Sequence, residues 1–145
     1  MSPREIELGG VSLTVPPDWH DITGDLENPD APYTLADPDG GVGALQFSFA
    51  NHEGGAQPLP SESDLMALAR EFGQQQALGT PSAETIFSES SLRGAGVSFH
   101  SGEEFIRVWY VSDGQNISQV TYVCEWGRQE AELPICEDIV RSMRF

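Results

Sequence analysis

The side chains with the most chemical capacity in this sequence are its carboxylates. Asp21, Asp25, Glu27 and Asp30 lie in the run DITGDLENPDAPY, and Asp37 and Asp39 follow in DPDGG. Acids this close together can bind calcium, work as a general acid–base pair, or present a negative surface. An EF-hand calcium site needs a twelve-residue loop closing on a glutamate, and neither run has one. Proline and glycine mark both runs as turns, where aspartate bonds its own backbone and otherwise faces water. Glu103 and Glu104 are adjacent in a strand-like pattern, so their side chains leave opposite faces and do not share a substrate.

Other reactive groups are as scattered. His20, His52 and His100 show neither HxH nor HExxH spacing, so no metal site is expected. The segment GVSFH around Ser98 lacks the second glycine of a nucleophile elbow, and Ser98 reads as a strand residue. The glycines never form GxGxxG or GxxxxGK[ST], so no nucleotide or other cofactor is implied. Cys124 and Cys136 are the only cysteines, too few for a disulfide framework and without CxxC spacing. Cys124 falls in a strand pattern and Cys136 in a helix pattern, and both are expected in the core. No enzyme is indicated.

Charge narrows the partners. Twenty-three acidic residues stand against seven basic ones, all arginine, giving a net charge of −16. Nucleic acid and anionic membranes require a basic footprint and are excluded. A basic protein would be attracted and steered toward this surface, although acidity also serves solubility alone. The start MSPREIELGG lacks the basic and apolar regions of a secretory signal, and no apolar run is long enough to span a bilayer. The expected compartment is the cytoplasm. At 145 residues, one domain over 1–145 with a sizeable core is expected.

The elements that must position these groups follow from periodicity. Glu5–Leu8 and Val11–Val15 flank Gly9-Gly10 as a tight hairpin, with Val11, Leu13 and Val15 on the buried face. Pro16-Pro17 then ends the ladder, and Trp19 is expected to fold back as a core plug. Thr34–Ala36 and Ala44–Ala50 read as a strand pair. Ser61 opens a helix carrying Leu65, Leu68, Ala69 and Phe72 on one face, ending near Gly73 or running on toward Gly79. Thr85–Glu89, Gly96–Ser101, Glu104–Val111 and Asn116–Trp126 read as consecutive strands. FIRVWYV is apolar on both faces apart from Arg107, so that strand should be central and covered on both sides. In ELPICEDIVRSMRF, Ile135, Ile139 and Met143 share the inner helix face, while Glu137 and Arg141 form an i, i+4 pair outside. The fold class is α+β, a central antiparallel sheet covered by helices in an α/β/α sandwich.

This order, opened by a strand reading VSLTVPPDW, resembles the PsbP-like fold shared by PsbP, the Ran-binding factor Mog and many small bacterial proteins. Those bacterial proteins include Eag-type chaperones of type VI secretion effectors and toxin-immunity proteins. The resemblance implies a binding protein rather than an enzyme: an immunity protein that occludes a basic toxin, or alternatively an Eag-type adaptor with an apolar groove along Phe105–Val111. Asp21, Asp25, Glu27 and Asp30, with Asp37 and Asp39 beside them, are the residues expected to meet such a partner.

Overall fold

A computed structural model of the chain describes residues 4–8, 11–22, 33–37, 41–51, 62–89, 92–113 and 116–144. Strands β1 (Arg4–Leu8) and β2 (Val11–Val15) form an antiparallel hairpin in which Leu8 pairs with Val11 and Arg4 with Val15. This is the register that a two-residue Gly-Gly connection requires, although Gly9 and Gly10 lie outside the described residues. Seven further strands make one antiparallel sheet: β3 (His20–Asp21), β4 (Tyr33–Ala36), β5 (Ala44–Asn51), β6 (Ser82–Glu89), β7 (Leu92–Ser101), β8 (Glu104–Ser112) and β9 (Asn116–Glu125). Their spatial order is β3-β4-β5-β9-β8-β7-β6. Helix α1 (Glu62–Gln75) joins β5 to β6, and α2 (Leu133–Arg141) follows β9 after a short 3-10 helix, Gln129–Ala131.

Strand β8 sits between β9 and β7, as its two apolar faces demand. Val108, with Ile106 and Tyr110 at its edges, packs with Ala95, Val97 and Phe99 beneath Leu65, Met66 and Ala69 of α1. Phe105, Trp109 and Val111 point the other way. They pack with Leu45, Phe47, Val120 and Tyr122 beneath Cys136, Ile139 and Val140 of α2 and Val11, Leu13 and Val15 of the hairpin. One helix therefore covers one face, and a helix with a hairpin covers the other. Full burial of a side chain such as Leu13 or Phe47 contributes about 1.5–3 kcal/mol. Trp19 is 2% exposed within this second core, and its N–H closes a turn on the Pro16 carbonyl at 3.1 Å. It is the plug that the sequence suggests.

Helix α1 runs through Gly73 to Gln75 and stops in a left-handed cap. Ala77 has φ +55°, the Leu78 N–H donates to the Gly73 carbonyl at 2.9 Å, and the Ala77 N–H donates to the Gln74 carbonyl at 3.2 Å. Gly73 is there for proximity: a Cβ at this position would land inside the buried Phe99 ring. Strands β6 and β7 begin earlier than their composition suggests. Gly94 falls before the expected strand start at Gly96, yet both glycines lie within β7, where the Phe87 ring and the Arg107 and Trp109 side chains cross the backbone. Among the described residues, no helix is long and apolar enough to cross a membrane.

Candidate functional site

The densest polar chemistry lies between the sheet and α2, centred on Arg107. This arginine is 2% exposed in the middle of β8, facing α2. Its Nε donates to Glu137 Oε1 at 2.9 Å, and Nη1 donates to Ser98 Oγ at 2.7 Å and to the Ala83 carbonyl at 2.9 Å. Nη2 donates to Thr85 Oγ1 at 2.6 Å, and the guanidinium carbon lies 5.3 Å from the Trp109 ring centroid. The neighbouring strands supply the room. A Cβ on Gly96 would come within 2.7 Å of Nη2, and a bulge in β6 at Ser82–Thr85, with Ala83 at φ +48°, turns the Ala83 carbonyl inward. Burial lowers the Arg107 pKa, and the Glu137 carboxylate opposes that shift. An arginine this well paired keeps its charge.

A second knot sits at the start of α2. Glu132, 6% exposed, accepts from the Tyr122 hydroxyl at 2.7 Å and from the Gly43 N–H at 2.9 Å, both on Oε1. Tyr122 is raised well above its ordinary value, by burial first and then by its bond to Glu132. The thiols of Cys124 and Cys136 are buried and free, and desolvation raises both. A raised thiol pKa makes for a poor nucleophile. These groups tie the Gly43 backbone and β9 to the helix start, and every polar contact named is internal.

The sequence-derived candidates are scattered over the fold. Ser98 is a strand residue whose hydroxyl is taken by Arg107. His100 lies flat against Trp126, with ring centroids 3.6 Å apart and planes 6° from parallel. Glu103 occupies the turn before β8 rather than the strand itself, while Glu104 opens the strand, so the two are in different backbone settings. Of the proposed docking acids, Asp21 is exposed on β3 opposite Leu35, and Asp37 follows β4, where its carbonyl accepts the Gly41 N–H at 2.9 Å. The pairing of His20 with Ala36 brings these two acids to one edge of the sheet. Asp25, Glu27, Asp30 and Asp39 lie outside the described residues. No group of three His, Cys, Asp or Glu side chains able to hold a metal occurs among the described residues.

Sequence reasoning places Glu137 outside, and the structure corrects this. Its Oε2 does stand 3.8 Å from Arg141 Nε, but its Oε1 turns inward to Arg107. Ile135 is likewise only half-buried, while Cys136, one position on, is fully buried. The signal that could have found this is Arg107 itself. A lone arginine in an otherwise doubly apolar strand needs a buried acid, and Glu137 stands on the helix that covers that face.

No family model and no curated protein sequence matches this chain. Solved structures do match in fold. The Ran-binding protein Mog1p of Saccharomyces cerevisiae superimposes with a TM-score of 0.67 over 99% of this chain and 95% of its own, at 11% identity. The cyanobacterial PsbP (CyanoP) of Synechocystis sp. PCC 6803 gives 0.66 over 99% and 92%, at 9% identity. LpqN of Mycobacterium tuberculosis, involved in cell envelope biogenesis, gives 0.64 over 98% and 89%, at 14% identity. Likeness at this identity is one of architecture, and in architecture this chain carries the Mog1/PsbP-like α+β fold.

Proposed function

We propose that this chain, as one domain over 1–145, is a non-enzymatic binding protein whose acidic exterior docks on a basic protein partner in the cytoplasm. In its sharpest form the partner is a bacterial toxin, neutralised because the acidic surface occludes its cationic active-site rim. The observation that carries this reading is where the buried polar groups go. Arg107, Ser98, Glu132 and Tyr122 all bond to one another's strands and helices. A reaction would need some of them aimed at a substrate. The net charge of −16 is left for the exterior. That Mog1p, on the same fold, is a Ran-binding protein supports protein recognition on this scaffold.

The alternative, an Eag-type adaptor for a type VI secretion effector, loses its expected groove. Phe105, Val108, Trp109 and Val111 are buried, with α1 over one face of β8 and α2 over the other. Co-expression tests the first reading. A basic toxin domain encoded beside this chain should arrest growth alone and be silenced by the chain through a direct complex. Asp21→Asn, Asp25→Asn, Glu27→Gln and Asp30→Asn together should slow that association at low salt. Protection without a complex, or an unchanged rate in the quadruple variant, removes the occlusion mechanism or this loop respectively.

A further inference from the structure

Strand β2 and helix α2 run antiparallel and are stitched together at one end only. The Ser12 N–H donates to the Arg144 carbonyl at 2.8 Å, and the Arg144 N–H returns to the Ser12 carbonyl at 2.9 Å. One step along, the Thr14 N–H donates to Ser142 Oγ at 2.9 Å, and that hydroxyl also reaches the Ile139 carbonyl at 2.6 Å. Beyond Thr14 the two elements part. Val15 runs into Pro16-Pro17, which turns the chain away, while α2 continues back toward Leu133. The gap is a groove of 380 Å³ lined by Thr14, Val15, Pro16, Ile135, Asp138, Ile139 and Ser142.

Its chemistry is specific. Val15, Pro16, Ile135 and Ile139 make apolar walls, and Pro16 has no N–H to leave unpaired, while its carbonyl is taken by Trp19. Asp138 is the only charged residue in the lining, it is exposed at the mouth, and its carboxylate has no ion-pair partner among the described residues. Asp18, in the turn after Pro16, and Glu5, opposite Thr14 in the hairpin, add exposed negative charge nearby. The cations on these elements are engaged elsewhere. Arg4 donates to the Trp19 carbonyl, Arg141 stands over the Phe87 ring, and Arg144 Nη1 donates to the Met143 carbonyl. The volume is at the small end for a ligand pocket, enough for one long side chain and part of its neighbour.

We propose that this groove seats an arginine or lysine side chain of the basic partner, its aliphatic stem between Pro16 and Ile135 and its cationic head on Asp138. Long basic side chains bury their stems on apolar surface and keep the charge at the rim, and this groove has that division. The proposal rests on the basic-partner reading and adds a named anchor point to it.

The test is a backbone-amide NMR titration of the full chain with acetyl-Ala-Arg-Ala-amide, alongside its citrulline and leucine counterparts. Expected are shifts concentrated at Thr14, Val15, Ile135, Asp138 and Ile139 with the arginine peptide. Citrulline, which keeps the shape and loses the charge, should bind several-fold more weakly. Asp138→Asn, a surface change that leaves the fold intact, should weaken the arginine peptide roughly threefold, the scale of an exposed ion pair. Shifts spread over the acidic surface and insensitive to Asp138→Asn would overturn the proposal, as would leucine binding as well as arginine. A cognate toxin that binds Asp138→Asn as tightly as wild type takes this groove out of the interface but leaves a basic partner standing. A seated arginine peptide in a chain with no cationic partner separates the two the other way.

Discussion

Helix α1 closes its side of the sheet with Leu65, Met66 and Ala69, against Ala95, Val97, Phe99 and Val108. Helix α2 closes the other side with Cys136, Ile139 and Val140, and with two carboxylates, Glu132 and Glu137, that reach down to Tyr122 and Arg107. Apolar contact has no direction, so α1 is placed by shape, above all by Gly73 over the Phe99 ring. Helix α2 is placed by shape and by hydrogen bonds that hold only at one rotation and one height. The difference bears on function, because the groove and the acids Asp18 and Asp138 lie on the α2 side, at the end where β2 and the helix separate. A binding surface made from two elements needs their relative position fixed.

The comparison breaks most sharply at Arg107. Arg107→Met should cost about 3 kcal/mol in urea denaturation, since it leaves Glu137, Ser98 and the Ala83 carbonyl without their donor. Adding Glu137→Met should recover much of that loss, because a matched apolar pair replaces a buried ion pair with little net penalty. If the double variant is as unstable as the single one, the polar tie is not what holds α2. On the other face, Gly73→Ala should be destabilising although alanine favours helices by about 1 kcal/mol. The new methyl meets a ring that is 1% exposed and has nowhere to go, so a net loss of about 2 kcal/mol is expected. A gain in stability would mean that α1 can lift from the sheet.

Much of the Mog1/PsbP-like layout is legible in the order of the residues. Alternation places β2 and β5, the doubly apolar run makes β8 central, and the Pro-Pro-Asp-Trp turn marks a plug. What escapes are properties of pairs distant in sequence. Glu137 looks solvent-facing on a helical wheel, and only the packing of α2 over β8 brings it to an arginine thirty positions away. Gly94 looks like part of a turn before the strand because nothing local shows that the Phe87 ring needs its space, as Arg107 and Trp109 need that of Gly96. The groove escapes for the same reason, since Pro16 and Ile135 become neighbours only through the Ser12–Arg144 and Thr14–Ser142 ties. The acidic run is legible as charge, and charge alone does not specify a geometry.

Smaller effects sharpen the contrast. Tyr122→Phe should cost about 1 kcal/mol, the net value of one hydrogen bond. It should also blunt an alkaline loss of stability that belongs to the α2 face. Cys124 and Cys136 are raised above 9.0, and Tyr122 above 10.0, so the unfolded chain releases these protons first. The stabilisation is therefore complete below about pH 9 and falls as pH rises beyond it, which denaturation midpoints at rising pH would follow. The smallest effect is expected at the exposed pair of Arg70 on α1 and Glu84 on β6, 2.6 Å apart. Arg70 holds the Glu84 carboxyl below 4.5, so whatever this pair adds is lost as pH falls below that value. Arg70→Ala should leave the denaturation midpoint at neutral pH within experimental error.

The most direct test is the association rate with the cognate basic protein, measured by stopped flow across a salt series. Electrostatic docking predicts a rate that falls steeply as ionic strength rises, with a shallower slope once Asp21, Asp25, Glu27 and Asp30 are neutralised. A rate that stays flat across the series, for the wild-type chain as for the variant, would contradict the claim that its acidic surface is what it uses to bind.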